Sequence, residues 1–382
     1  MHVVIDQGWT MEMWRPVVHE FIDMLHLHAI SATLKRYTLD SDTGTVTPAF
    51  PTKRTSSARE LTIVLTDGLG PFWLQHSAEE MLCTWGTWQP LAVVHFLPRA
   101  LWASSGIRAK RQALRPSAPA QANKDLQVEA RDEDDHLSCP VPTLELGAED
   151  LGAWGRLVVQ EAPTLLYCIA AQPAAVRMPG QARSSAAADE SAPDGQATGA
   201  ALRSEALQQL ELFRRSASRE AKFLANALSV LPLNVAVMRR TQETLLPRHG
   251  PELFSELFIA HLIHPVVTAE RLRRIDRVTF DFAPGVREEL VAGLNQQWTG
   301  NLFTATAAFL DEDLGIPFVS SWRHLIDAPH RTAFEEATEV SLPFLRVELT
   351  VLEALSGPYR SRAKQLRAML SRFEQSSMAV AP

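Results

Sequence analysis

The chain has 382 residues, of which 46% are hydrophobic, and a formal net charge of −7. This length exceeds what one hydrophobic core usually organises, so we expect two or three domains, and the acidic balance gives no general reason to expect nucleic acid or an anionic membrane as partner. Three cysteines without a CxxC pair give no reason to expect a disulfide framework or a zinc site. Charged residues near the N-terminus, Asp6 among them, argue against a signal peptide, and no apolar run is long enough for a bilayer, so we expect a cytoplasmic protein.

The first part of the chain alternates buried strand patterns with amphipathic helix patterns. In chain order, the predicted elements are a strand at 2–5, a helix at 12–29, strands at 32–39 and 60–66, a helix at 72–88, strands at 90–97 and 143–146, and a helix at 149–159. Near-continuous apolar runs such as ELTIVLT suit the buried centre of a parallel sheet. This alternation predicts a doubly wound, Rossmann-like α/β domain over residues 1–171.

Two stretches of low hydrophobic content divide the rest of the chain. Residues 103–139 are rich in Ala, Arg, Pro and acids, which predicts a surface insertion, and residues 172–204 predict a disordered linker. Helical periodicity then dominates residues 205–293, interrupted by a short strand pattern at 277–282, which indicates a mainly α, winged-helix-like domain. Residues 294–382 are predicted to form a C-terminal helical region.

Two acids follow predicted strands of the first domain. Asp6 ends the opening strand, and Asp67 comes directly after the central apolar run. In a doubly wound sheet, ligands bind at the carboxyl ends of the strands, beside the point where the strand order reverses. Carboxylates accompanied by hydroxyls suit a hard cation such as Mg²⁺. Alternatively, both acids are helix caps or loop residues that accept backbone N–H groups, which is a common role for aspartate.

The segments around these acids resemble the metal-binding motifs of von Willebrand factor A domains. Asp6-Gln7-Gly8-Trp9-Thr10 resembles the DxSxS motif, and Thr66-Asp67-Gly68 resembles the later Asp-Gly motif. The resemblance implies a metal-ion-dependent adhesion site in which Asp6, Thr10 and Asp67 hold Mg²⁺ and a partner's carboxylate fills the open position. Gly8 departs from the pattern, since a hydroxyl is expected there. The family's further threonine ligand would be one of Thr43, Thr45, Thr47 and Thr52.

Longer segments extend the resemblance to a bacterial family of von Willebrand A-like modules followed by a helical, winged-helix-like region. These segments are LTDGLGPFWL, PLAVVHFLPRALW, LPLNVAVMRRTQETLLP and FDFAPGVREELV. Members are fused to, or encoded beside, NTPases, proteases or formylglycine-enzyme-like domains in conflict or regulatory systems. The resemblance implies a protein–protein interaction module, with any enzymatic output coming from a separately encoded NTPase, protease or other effector.

The remaining motifs favour a non-enzymatic protein. The sequence contains no P-loop, no GxSxG elbow and no complete set of zinc-protease ligands, and no positioned base accompanies the two acids. Trp9, beside the candidate metal site, is the expected partner-binding residue, although burial in the core would equally explain a tryptophan. The alternative function is nucleic-acid binding through the winged-helix-like region, by Arg271, Arg273, Arg274 and Arg277. Near-balanced charge across that region argues against it.

Overall fold

The structure is a computed structural model with two compact units, Met1–Ser191 and Ala192–Pro382. It describes residues 1–27, 33–51, 60–75, 77–129, 139–160, 163–171, 195–231, 233–266, 279–294, 342–355 and 359–378. In this described part of the chain, no helix combines the length and apolar composition needed to cross a bilayer.

The described strands of the first unit form one mixed sheet. They are β1 His2–Asp6, β2 Lys35–Asp40, β3 Thr45–Thr47, β4 Thr62–Thr66, β5 Leu91–His95, β6 Ala109–Arg115, β7 Gln127–Glu129, β8 Cys139–Glu145 and β9 Thr164–Ala171. Their order across the sheet is β3-β2-β1-β4-β5-β8-β9-β6-β7. Strands β2, β1, β4, β5 and β8 are parallel, whereas β3, β9, β6 and β7 join through antiparallel pairs. The predicted α/β class is therefore confirmed.

Helices of the first unit follow the parallel strands. They are α1 Arg15–Leu27, α2 Pro71–Leu74, α3 Ala78–Gly86 and α4 Ala148–Val159, and a 3₁₀ helix at Trp9–Trp14 precedes α1. Val3 and Val4 point to opposite faces of β1, and both are fully buried, as expected for a central parallel strand. Leu82 and Trp85 of α3 pack in the same core cluster as Val4.

Residues 103–139, where we predicted a surface insertion, contribute β6 and β7 to the sheet. Strand β6 pairs with β9 from Ala109 to Leu114, and most of its side chains remain at least partly exposed. Strands are usually recognised in a sequence by alternating apolar residues. Strand β6 lacks this alternation, because it pairs through its backbone and does not bury every second side chain. Strand β9 also lay outside the predicted elements. The helix predicted at 72–88 is divided into α2 and α3.

The second unit is mainly helical. Its described helices are α5 Gly195–Ser216, α6 Arg219–Ser229, α7 Val235–Leu245, α8 Glu252–Ile259, α9 Val286–Ala292, α10 Leu342–Leu355 and α11 Arg360–Met378. Three short antiparallel strands form its sheet, in the order β10 Leu233–Asn234, β12 Thr279–Phe282 and β11 Ile263–Val266. Side-chain caps fix two helix starts, since Ser218 and Asn234 accept the N–H groups of Ala221 and Val237.

We predicted a disordered linker at 172–204, of which the structure describes residues 195–204. For these residues the prediction is wrong, because they belong to helix α5, which begins at Gly195. The segment 172–194 lies outside the described residues. The start of this helix was not predicted because the segment consists mostly of small residues such as Ala and Gly. It contains too few large apolar residues to show the periodicity of an amphipathic helix.

Candidate functional site

The two predicted acids meet at the carboxyl edge of the large sheet. Strands β1 and β4 are parallel neighbours, with Ile5 paired to Leu65, so Asp6 and Asp67 leave the sheet at the same edge. The chain continues from β1 to β2 on one side, while β4 lies on the other. This is the switch in strand order at which open α/β sheets bind ligands.

Asp6 is buried and accepts three hydrogen bonds from neutral donors. Its Oδ1 accepts from Gly8 N at 2.8 Å, whereas its Oδ2 accepts from Thr66 Oγ1 at 2.6 Å and Trp73 Nε1 at 2.8 Å. Burial raises the pKa of Asp6 in spite of these donors and of the neighbouring Ser41 hydroxyl, which lower it. Two donors saturate the lone pairs of Oδ2, so Oδ1 is the oxygen that retains coordinating capacity.

Asp67 is equally buried but has fewer hydrogen bonds. Its Oδ1 accepts from Leu69 N at 3.1 Å, and its Oδ2 has no hydrogen-bond partner among the described residues. Burial, and then the charge of Asp6, raise the pKa of Asp67 to about 7, although the Thr10 hydroxyl lowers it. A buried carboxylate oxygen without a partner is costly, and calls for a proton or a ligand.

Both acids also form local turns with the residue two positions on, namely Gly8 and Leu69. They thus have the loop role that we considered as the alternative to metal binding. These turns use only one oxygen of each carboxylate. They do not explain why Asp67 Oδ2 is buried without a hydrogen-bond partner among the described residues, or why two acids lie side by side.

Ser41 joins this cluster and was not predicted from the sequence. It follows β2, is 1% exposed, and its Oγ forms no hydrogen bond of good geometry with the described residues. The threonines considered for this role lie elsewhere: Thr43 donates to Thr45 Oγ1 in the exposed turn before β3, and Thr47 accepts from Thr38. Thr52 lies outside the described residues.

The side chains of this strand-end cluster, Asp6, Thr10, Ser41 and Asp67, fit a hard divalent cation. All four offer oxygen atoms and all are buried. Within the described residues, no three His, Cys, Asp or Glu side chains come together as a metal site. Mg²⁺ requires only one or two carboxylates when other oxygens complete its shell, so a site of two acids and two hydroxyls suits this ion.

Trp9 lies at the start of the 3₁₀ helix that follows Gly8, and it is partly exposed. Gln7, on the same loop, is exposed. The loop after β1 therefore exposes a polar side chain and part of an aromatic one within three residues of the buried Asp6.

A neighbouring serine–histidine pair does not form a nucleophilic site. His95 Nε2 lies 3.0 Å from Ser105 Oγ, but its Nδ1 accepts from Leu97 N at 3.2 Å, so the proton is on Nε2. Ser105 in turn donates to Trp102 O. Burial lowers the pKa of His95 to about 3. A general base needs a free Nε2 lone pair facing the serine, so this tautomer is inactive for that role.

An arginine-lined cleft of about 280 Å³ opens further along the same sheet edge, beside β9 and α4. Arg99 is held there by Asp150 at 2.7 Å, and its guanidinium lies 4.9 Å from the Tyr167 ring centroid. Arg111 and Arg156 line the cleft from exposed positions. The cleft thus combines three guanidinium groups with the carboxylates of Glu149 and Asp150 and the Tyr167 ring.

In the second unit, the helix before β11 carries acidic rather than basic residues. Its sequence is ELFSELFI, and Glu256 accepts hydrogen bonds from Ser218 N at 2.7 Å and Ser218 Oγ at 2.6 Å. A helix without cations is unsuited to DNA phosphates. The arginines named for nucleic-acid binding, at positions 271, 273, 274 and 277, lie outside the described residues.

Comparisons with known proteins return no match: no family model fits the chain, and no curated protein or solved structure is significantly similar to it. The functional argument therefore depends on the geometry of the chain itself.

Proposed function

We propose that this protein is a non-enzymatic interaction module of the cytoplasm, in which a divalent cation, Mg²⁺, orders the strand-end loops that recognise a protein partner. One observation carries the proposal: two buried carboxylates meet at the switch point, and Asp67 Oδ2 is left without a hydrogen-bond partner among the described residues. Such a pair is stable only when a proton or a cation offsets its charge.

Each side chain of the strand-end cluster has a distinct role in this proposal. Thr66 and Trp73 orient Asp6, so that its Oδ1 remains available. Asp67 contributes its unpartnered Oδ2, and Thr10 lies against Asp67. A bound cation would neutralise the negative charge of the two carboxylates. It would also hold the loop that contains Gln7 and Trp9 in one conformation.

The strand order supports a von Willebrand A-like assignment of the first unit. Order β3-β2-β1-β4-β5 is the doubly wound arrangement in which the crevice lies between β1 and β4. In the second unit, the succession of α6, β10, α7, α8, β11 and β12 supports a winged-helix-like adaptor. The acidic α8 favours packing against protein rather than against DNA.

The partner would contact the strand-end face, where the cleft is lined by Glu149 and Asp150 as well as by arginines. Because Arg99 pairs with Asp150, the exposed Arg111 and Arg156 are the cations that would favour an acidic residue of the partner. Arginine is well suited to carboxylates because its planar guanidinium binds them through two hydrogen bonds. Following the family resemblance, we propose a separately encoded NTPase, protease or other effector of a bacterial conflict or signalling system.

Thermal unfolding with and without Mg²⁺ tests the cation. We expect millimolar Mg²⁺ to raise the midpoint of the wild type above that in EDTA, because a ligand that binds only the folded state stabilises it. Asp67→Ala should abolish this increase. Asp23→Ala removes an exposed carboxylate of α1 and should retain it. An equal midpoint of the wild type in Mg²⁺ and EDTA would overturn the proposal.

A further inference from the structure

Gly8 stands where the DxSxS pattern expects a residue with a hydroxyl group. The atoms around Gly8 show which group occupies the space that such a side chain would fill. A Cβ atom built on Gly8 would lie 2.6 Å from Ser41 Oγ, 3.2 Å from Asp6 Oδ1 and 3.8 Å from Thr10 Oγ1. The first distance is too short for any real contact. The Ser41 hydroxyl therefore occupies the space into which a side chain at position 8 would extend.

A second glycine, Gly70, also leaves room for Ser41. A Cβ atom on Gly70 would lie 2.4 Å from Ser41 Oγ and 2.6 Å from Ser41 Cβ. The backbone around Ser41 is also fixed, because its carbonyl accepts from Phe72 N at 2.8 Å. Ser41 is thus held between two loops that both lack a side chain at the point of closest approach.

The orientation of this hydroxyl places it among the other oxygen atoms of the cluster. Ser41 is almost completely buried, and its Oγ forms no hydrogen bond of good geometry with the described residues. The hydroxyl lies beside the Asp6 carboxylate, whose pKa it lowers, and it accepts no hydrogen bond from the described residues, so its lone pairs remain for a cation.

We propose that Ser41 supplies, from the end of β2, the hydroxyl ligand that position 8 lacks, so that a divalent cation is held by Asp6, Thr10, Ser41 and Asp67. This inference rests on the proposed function, because it assigns a further ligand to the same site. It makes Gly8 a requirement of the site in this chain: glycine leaves room for the hydroxyl that comes from the neighbouring strand.

Isothermal titration of the full chain with Mn²⁺ or Mg²⁺ tests this assignment. Ser41→Ala keeps the Cβ atom and removes only Oγ, so the variant should fold and bind the ion at least about tenfold more weakly, as losses of metal-supporting groups do. Thr43→Ala, which removes a hydroxyl from the adjacent exposed turn, should bind like the wild type.

An exchange of the two residues provides the stricter test. Gly8→Ser alone should lower the thermal midpoint, because Ser41 occupies the required space. The double variant Gly8→Ser, Ser41→Gly should recover ion affinity to within a few-fold of the wild type, since the hydroxyl returns from the other loop.

The results separate the two proposals. Wild-type affinity in Ser41→Ala would overturn the role of Ser41 while leaving the ion site intact, as would a folded exchange variant that binds as weakly as Ser41→Ala. Absence of binding by the wild type would overturn the proposed function, and the assignment of Ser41 with it.

Discussion

Buried charges in the two units have opposite environments. In the second unit, Arg287 pairs with Asp281 at 2.8 Å, and Arg362 pairs with Glu348 at 2.9 Å, so each buried cation meets a buried or partly buried acid. In the strand-end cluster of the first unit, the acids Asp6 and Asp67 lie together, and their hydrogen-bond donors are neutral. Among the described residues, the second unit pairs its buried cations with acids, whereas the strand-end cluster of the first unit has two negative charges that a cation can offset.

The largest expected effect comes from breaking the balance in the second unit. Arg287 also donates to the carbonyls of Ser229 and Leu231. Arg287→Met should destabilise this unit by about 3–5 kcal/mol, because it removes the cation that pairs with Asp281 and the donor to both carbonyls, and leaves Asp281 only the N–H of Phe282. Denaturant unfolding followed by circular dichroism measures the loss. Arg214→Met, which breaks the exposed pair with Glu289, should cost less than about 1 kcal/mol. Equal losses would contradict the comparison.

The next effect concerns the neutral donors of the strand-end cluster. Trp73→Phe removes the indole N–H that donates to Asp6 Oδ2 and should lower the free energy of unfolding by about 1.5–3 kcal/mol. Trp88→Phe is the matched control, since the Trp88 N–H has no hydrogen-bond partner among the described residues. If both variants lose the same stability, the hydrogen bond to Asp6 is not what orients that carboxylate.

The next prediction concerns the buried, neutral His95 and the pH dependence of the free energy of unfolding. Its folded pKa of about 3 lies below the ordinary value near 6.5, so the unfolded chain binds the proton first, and the contribution of His95 to stability falls as the pH falls from about 6.5 to 3. The wild type should lose on the order of 2 kcal/mol more than His95→Asn between pH 7 and pH 5. Urea unfolding at both pH values measures the difference. Parallel losses would show that His95 is charged when folded.

The smallest expected effect is on nucleic-acid binding. With an acidic α8, the wild type should not bind a duplex DNA of about 30 base pairs even at low salt, as measured by fluorescence anisotropy. Binding that weakens steeply with salt, and is lost when Arg271, Arg273, Arg274 and Arg277 are changed to Glu, would favour the nucleic-acid alternative instead.

The sequence predicted the central strands because burial on both faces leaves unbroken apolar runs, as in β4. Strand β6 escaped prediction because its polar residues remain exposed while its backbone pairs with β9. A similar difference holds for the site. Asp6 and Asp67 were predictable, since the ends of parallel strands share one edge. Ser41, in the turn after β2, and Trp73, in α2, could not be predicted as parts of the site, because their positions relative to Asp6 depend on tertiary packing around Gly8 and Gly70.

The most direct measurement is the affinity of the full chain for Mg²⁺ at pH 8, compared by calorimetric titration between the wild type and Asp67→Asn. The substitution preserves the shape of the side chain and removes the charge that attracts the ion. We predict one bound Mg²⁺ per wild-type chain and at least about tenfold weaker binding by the variant. Equal affinities, or a wild type that binds no ion, would contradict the claim that the strand-end acids hold a cation.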